Sequence, residues 1–192
     1  LPGSDAWRRS PAPSSTPDIV PAWSPVPLLL YEASWNRQAP AFCKEEGIHT
    51  AIDTSGYLLN DRIKEVLEYT DLILLDIKQI DPEKYKALTS VSLKPTLDFL
   101  KYLSEINKPV WIRYVLVPGY TDDEKDLNAW AKFVSSFKNV ERVDILPFHQ
   151  MGGHKWKEVN RVYQLENVLA PTKENIEKAE EIFTYYGLKV LS

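Results

Sequence analysis

A continuous apolar run with polar residues at its end, Leu72-Ile73-Leu74-Leu75-Asp76-Ile77-Lys78-Gln79, sets the class of fold. Four consecutive aliphatic residues are typical of a strand covered on both faces, and such strands belong to parallel sheets. Similar strands are predicted at Ile48–Ile52, Val110–Val117, Val140–Leu146 and Leu188–Leu191. Segments with helical spacing of apolar residues separate them. The sequence therefore predicts an α/β protein with a parallel sheet, which is either a barrel or a doubly wound sheet.

The intervening helices are marked by capping residues. Gly47 is a candidate residue for ending the first helix, since glycine tolerates the left-handed conformation found there. Thr121 and Glu124 have the spacing of a capping box ahead of an apolar stripe. The other helices predicted from caps and periodicity are Asn60–Tyr69, Pro82–Leu88, Pro95–Ile106 and Thr172–Gly187.

Proline divides the chain into two parts. Eight of the 14 prolines fall within the first 40 residues, and proline interrupts both helices and central strands. We therefore expect residues 1–40 to be an irregular or artefactual segment and residues 41–192 to form the α/β unit. The abrupt change in composition and the initial Leu1 suggest a fragment that arose by truncation, frameshift or fusion.

Composition excludes several classes of function. The 192 residues carry a net charge of −4 and contain no strongly basic run, which argues against nucleic acid and anionic membranes as partners. No stretch approaches the roughly 20 apolar residues of a transmembrane helix. With one cysteine, Cys43, the chain can form no internal disulfide, and a small, buried apolar role is expected for it.

Polar residues occur where the predicted strands end. Asp53 follows the first strand, Asp76 and Lys78 follow the second, Arg113 lies within the third, and His149 follows the fourth. Because the loops after parallel strands converge on one edge of the sheet, these side chains form a candidate site.

Each of these residues also has a structural interpretation. Asp53 is suited to a turn, and Asp76 to an ion pair with Lys78 or another cation. Arg113 could pair with any of these carboxylates, and His149 could be a core residue. The residues alone leave these alternatives open, as well as an aldolase-like enzyme in which Lys78 forms a Schiff base.

The remaining histidines and glycines give weaker indications. His49 and His154 are expected to be structural, and the histidines and Cys43 lack the spacing of a zinc site. The pair Gly152-Gly153 lacks a surrounding phosphate-binding pattern.

Four collinear segments resemble the pyruvate formate-lyase activating enzymes, a family of radical S-adenosylmethionine enzymes. They cover most of the chain from about Phe42 to the C-terminus and are Glu46–Gly56, Leu74–Gln79, Val110–Tyr120 and Leu146–Trp156. The resemblance implies a partial TIM-like (β/α)6 barrel whose first two strand–helix units are missing or replaced by the proline-rich segment. It also implies an oxidoreductase that cleaves S-adenosylmethionine at a 4Fe–4S cluster and generates a glycyl radical on pyruvate formate-lyase.

The resemblance assigns roles to individual residues. Asp76, Lys78 and His149 would contact S-adenosylmethionine, and Asp53, Thr54 and Asp76 would form a monovalent-cation site beside it. Oxygen ligands of this kind suit a hard cation.

The resemblance also implies partners. Arg113 would meet the peptide of the lyase that carries the glycine, and reduced flavodoxin or ferredoxin would donate electrons. A cytoplasmic monomer that functions in anaerobic metabolism is expected.

The chain departs from the family at the cluster. Three cysteines in a CxxxCxxC loop hold the family's cluster, and Cys43 cannot replace them. The Gly-Gly-Glu segment that binds the cofactor's amino group is also absent, and Tyr31-Glu32-Ala33 is a candidate for its remnant. We therefore expect the chain to be inactive alone. The alternative is a non-catalytic remnant that binds the glycyl radical enzyme through Arg113 and the Pro118–Asp122 loop.

Overall fold

Five parallel strands form a single sheet in the computed structural model, which describes residues 38–153 and 163–192. The strands are β1 (Ala51–Thr54), β2 (Leu72–Asp76), β3 (Val110–Leu116), β4 (Val140–Pro147) and β5 (Val190–Leu191). The helices are α1 (Gln38–Glu45), α2 (Asp61–Glu68), α3 (Pro82–Thr89), α4 (Lys94–Glu105), α5 (Glu124–Val134) and α6 (Lys173–Tyr185), with a 3-10 turn at Gln150–Gly152. The predicted irregular segment 1–40 lies almost entirely outside the described residues. Glu32 and His154 lie outside them as well.

The order of the strands distinguishes between the two predicted architectures. Neighbours follow the chain order β1-β2-β3-β4-β5, and every pair is parallel. A doubly wound sheet reverses its order at a switch point, whereas a barrel wall adds each strand beside the last. Within the described ranges the sheet therefore has the winding of a partial (β/α) barrel.

The helices pack against one face of this sheet. Residues of β3 alternate between buried and partly exposed along the whole strand. The buried set joins α2, α4, α5 and α6 in one apolar cluster that includes Leu75, Ile112, Tyr114 and Trp130. Since side chains alternate across a strand, the other set of positions is left for the opposite face, which we call the open face.

Most predicted helix boundaries are confirmed. Asn60 accepts a hydrogen bond from the Ile63 amide at the start of α2, and Thr172 forms a capping box with Asn175 at the start of α6. Gly47 and Gly187 have φ values of 69° and 80°, which glycine adopts without steric cost.

Three local predictions were wrong. The first strand begins at Ala51 because the Thr50 amide donates to the Asp71 carboxylate rather than to a strand. The cap of α5 is Asp123, since the Thr121 hydroxyl bonds to Val117 N and Val115 O within the preceding loop. The last strand contains only Val190–Leu191.

Cys43 also differs from its prediction. It is half-buried in α1 rather than a core residue. Its carbonyl accepts the Ile48 amide, a bond that closes the C-terminal end of α1.

Candidate functional site

A charged cluster occupies the open face at the carboxyl ends of β1 and β2 and the middle of β3. The Arg113 guanidinium spans two strands: its Nη1 lies 2.7 Å from Asp53 Oδ2, and its Nε lies 2.9 Å from Asp76 Oδ1. On the other side of the same carboxylate, Lys78 Nζ lies 2.6 Å from Asp76 Oδ2. Four of the six predicted site residues are therefore directly connected.

Strand register explains this connection. Asp76 is the partner of Arg113 across β2 and β3, and Arg113 is in turn the partner of Asp144 across β3 and β4. Lys78 comes two residues after Asp76 and so continues on the same face. Asp53 is a residue of β1 rather than of a following turn, which corrects the sequence prediction.

Asp76 is the most enclosed acid of the cluster, with 15% of its side chain exposed. Burial alone would raise the pKa of this carboxyl, but Lys78 and Arg113 outweigh burial and hold the pKa below its ordinary value. An ionised carboxylate thus persists at the edge of the sheet because two cations compensate for its lost hydration.

Thr54 lies apart from the cluster. It neighbours Asp53 on β1 and therefore belongs to the opposite face, where its partner across the strands is the buried Leu75. Its hydroxyl oxygen accepts a hydrogen bond from the Gly56 amide at 3.0 Å.

His149 follows β4, as predicted, in an exposed position. Its Nδ1 accepts from the Met151 amide at 3.4 Å and so begins the 3-10 turn. The adjacent Gln150 side chain donates to the carbonyls of Leu165 and Val168, both at 2.7 Å. The loop carrying His149 is therefore fixed to the segment that follows at 163–168.

A second charged group on the open face was not identified from the sequence. Arg142 stacks on the Trp111 ring, with 3.5 Å between its guanidinium carbon and the ring centroid, and its Nε lies 2.6 Å from Asp144 Oδ1. Asp144, the second register partner of Arg113, is thus already paired with Arg142. The two-residue spacing of Trp111 and Arg113, and of Arg142 and Asp144, is the sequence feature from which a shared face could have been predicted.

The metal-binding capacity of the described part of the chain is limited. Within it, no three His, Cys, Asp or Glu side chains are grouped so that they could hold a metal ion. Cys43 is the one cysteine in the full sequence. These 192 residues therefore contain a single thiolate of the kind that holds 4Fe–4S clusters.

Comparisons with known proteins agree with this fold. Residues 25–131 match the model of the Radical SAM superfamily, which defines the class of the protein. The match begins within the proline-rich segment. Among the described residues, no helix combines the length and apolar character needed to span a bilayer.

Individual relatives narrow the class. The chain is 44% identical over 164 residues to pyruvate formate-lyase 1-activating enzyme of Escherichia coli K12, which covers 84% of this chain and 67% of the relative. It is 45% identical over 150 residues to pyruvate formate-lyase-activating enzyme of Staphylococcus aureus NCTC 8325, covering 75% and 60%. The chain belongs to the family of pyruvate formate-lyase-activating enzymes, and it spans 60–67% of the length of these two curated relatives.

Solved structures show the same fold. A domain of pyruvate-formate lyase-activating enzyme from Bacteroides vulgatus superposes with a TM-score of 0.69 at 25% identity, covering 84% of this chain and 91% of that domain. A radical SAM methyltransferase from Sphaerobacter thermophilus superposes with a TM-score of 0.63 at 18% identity, covering 86% and 47%. The second likeness concerns the fold alone.

Proposed function

We propose that these residues are the C-terminal part of an enzyme that generates a glycyl radical on pyruvate formate-lyase. The observation that carries the proposal is the 44% identity to an activating enzyme across 84% of the chain. The charged cluster supports the proposal, because Asp53 and Asp76 lie at the carboxyl ends of β1 and β2, the edge at which parallel α/β proteins bind their ligands.

Asp76, Lys78 and His149 are proposed to bind S-adenosylmethionine. Asp76 supplies an ionised carboxylate, Lys78 an ammonium group, and His149 an exposed imidazole on the adjoining edge. These groups suit the hydroxyl, amine and ring nitrogen atoms of a nucleoside joined to an amino acid. When bound, S-adenosylmethionine would supply the precursor of a 5′-deoxyadenosyl radical.

Asp53, Thr54 and Asp76 are proposed to form a monovalent-cation site, in which Thr54 would take part through its main-chain carbonyl because its side chain lies on the opposite face of the sheet. The Arg113 guanidinium bridges the Asp53 and Asp76 carboxylates, so a cation between them requires Arg113 to withdraw. The same side chain is proposed to hold carbonyl groups of the lyase peptide, and its withdrawal would serve both roles.

The chain is proposed to be inactive alone because Cys43 cannot hold a 4Fe–4S cluster. Anaerobic reconstitution should therefore leave the 192 residues without near-stoichiometric iron and sulfide. A cluster signal in electron paramagnetic resonance after reduction would contradict this part of the proposal.

The proposal also assigns partners and a location. Reduced flavodoxin or ferredoxin is the proposed electron donor, and the protein is proposed to be a cytoplasmic monomer that binds neither membranes nor nucleic acid.

Binding of S-adenosylmethionine to the full chain tests the site. Titration calorimetry should detect binding that weakens about tenfold or more in Asp76→Asn and Lys78→Met, since each variant loses a charge-assisted hydrogen bond. Lys101→Met is the matched control, because Lys101 lies on the exposed surface of α4, 3.9 Å from Asp98. Equal weakening in all three variants, or no binding by the wild-type chain, would reject the assignment.

A second candidate, a non-catalytic module that binds the lyase, is favoured by the presence of only one cysteine. It predicts that the purified chain binds pyruvate formate-lyase and that Arg113→Ala weakens this binding more than Lys101→Ala. Absence of binding at micromolar concentrations of both proteins would exclude the module.

A further inference from the structure

The segment that carries Lys78 is held by α5 as well as by the sheet. Beyond Asp76 the bond from the Ile77 amide to the Arg113 carbonyl lengthens to 3.4 Å. The Ile77 carbonyl instead accepts a 2.9 Å hydrogen bond from Trp130 Nε1, and Trp130 is a fully buried residue of α5. A rigid helix thus fixes the backbone immediately before Lys78.

Gln79 makes the second attachment, immediately after Lys78. Its Nε2 donates to Asp126 Oδ2 at 2.9 Å, while its Oε1 accepts from the amides of Ile80 at 2.6 Å and Asp81 at 3.1 Å. Gln79 is 1% exposed. One side chain therefore shapes the turn after Lys78 and attaches it to the first turn of α5.

Two further contacts hold Asp126, one to its carboxylate and one from its main-chain amide. Lys84 Nζ lies 2.6 Å from its Oδ2, and its own amide donates to the capping carboxylate of Asp123. The hydrogen bond to Asp126 raises the pKa of Lys84. The exposed Lys84 thereby supplies the charge that a 7%-exposed carboxylate needs.

A buried amide and a buried carboxylate are costly compared with apolar side chains of the same size. Stability alone therefore does not account for their presence between β2 and α5. Their geometry does account for it, because directional bonds fix the orientation of a loop more closely than apolar packing does.

We propose that Gln79 and Asp126 are positioning residues that hold Lys78 against Asp76 and thereby preorganise the charged cluster. The relevance of this positioning to cofactor binding rests on the function proposed above. The positioning itself concerns only residues of this chain and can be tested without any ligand.

Pulsed acetylation of the full chain, read out by mass spectrometry, measures how often the Lys78 amine leaves Asp76. In Gln79→Glu, two carboxylates face each other, and labelling of Lys78 should rise about tenfold as the loop opens. The exchanged pair Gln79→Glu with Asp126→Asn restores a carboxylate facing an amide, and it should return labelling to within about twofold of wild type, as coupled neighbours do.

Ala179→Gly is the control for general destabilisation, since Ala179 is buried in α6. It should lower the unfolding midpoint without changing the labelling of Lys78. Unchanged labelling in Gln79→Glu, an equal rise in Ala179→Gly, or failure of the exchanged pair to restore protection would overturn the proposal. If labelling behaves as expected but the wild-type chain binds no S-adenosylmethionine, the positioning stands and the proposed function fails.

Discussion

The face of the sheet that packs on the helices and the open face are built from alternate positions of the same strands. In β3, Ile112 and Tyr114 are fully buried against the helices, whereas Trp111 and Arg113 lie on the open face. The helix side is continuous apolar packing, while the open side carries the ion pairs of Arg113 and Arg142. Because side chains alternate between the two faces of a strand, β3 can contribute apolar residues to the core and charged residues to the open face at the same time.

The two faces should respond differently to substitution. On the helix side, a truncation leaves a cavity in a close-packed interior. On the open face, a substitution changes which charge remains unpaired, so its effect depends on pH.

The largest expected effect is that of Trp130→Ala. The indole ring packs on Tyr114 and Phe183 with centroid distances of 4.8 Å to each, and its Nε1 bonds to Ile77. We expect a loss of about 3–5 kcal/mol in the free energy of unfolding, measured by denaturant titration. Trp130→Phe retains an aromatic ring and should lose less. A loss below about 1 kcal/mol for the alanine variant would contradict the assignment of this face as the core.

Gly56→Ala tests packing where the loop after β1 crosses the core. Gly56 has a φ of 64°, and an added Cβ would lie 2.8 Å from Leu75 Cδ1 and 2.9 Å from Phe99 Cδ1. We expect a loss of about 2–3 kcal/mol from backbone strain and overpacking together, measured by denaturant titration.

Gly119→Ala provides the matched control for backbone strain. Gly119 has a similar φ of 77°, but no atom lies within 4 Å of the added carbon. The difference between the two variants therefore isolates overpacking. Equal losses would show that the helix side tolerates the extra methyl group.

These two faces also show what the sequence could predict. The apolar run of β2 and the caps at Asn60 and Thr172 were sufficient to predict the order of strands and helices. Apolar runs and helix caps depend only on residues that are close together in the sequence. The start of β1 was misplaced because Thr50 bonds to Asp71, a partner 21 residues away.

The candidate site was predictable as a set of residues but not as a set of bonds. Positions within or just after the predicted strands identified Asp53, Asp76, Lys78 and Arg113 as neighbours. The choice of Asp53 and Asp76 over Asp144 as partners of Arg113 depends on register and on Arg142, which already pairs with Asp144. Strand register is a tertiary property, so local patterns do not contain it.

Arg113→Gln should give an intermediate effect that depends on pH. Because the pKa of Asp76 is lowered in the folded state, its ionisation stabilises the fold above the unfolded pKa of about 4, and this contribution is lost as pH falls through the lower folded value. Removing Arg113 should cost about 1–3 kcal/mol at pH 7. The difference from wild type should shrink as pH falls below the unfolded pKa of about 4 toward the lowered pKa of Asp76.

Denaturant titrations of wild type and Arg113→Gln between pH 7 and pH 3 measure this dependence. A stability difference that stays constant across the range would show that Arg113 acts through packing rather than through its charge. A difference that grows toward low pH would contradict the sign worked out for Asp76.

The smallest effect is expected for Lys173→Ala, which removes an ion pair of the same chemical kind as the one between Lys78 and Asp76. Lys173 Nζ lies 3.0 Å from Glu177, but the two side chains are 87% and 51% exposed, compared with 17% and 15% for Lys78 and Asp76. Water and salt screen the exposed pair, and Lys173 stands in the first turn of α6, where the helix dipole disfavours a cation. Denaturant titration should therefore show a change within about 0.5 kcal/mol. A loss greater than about 1 kcal/mol would mean that exposure does not determine the strength of these pairs, and the contrast between the open face and the outer surface would then need another cause.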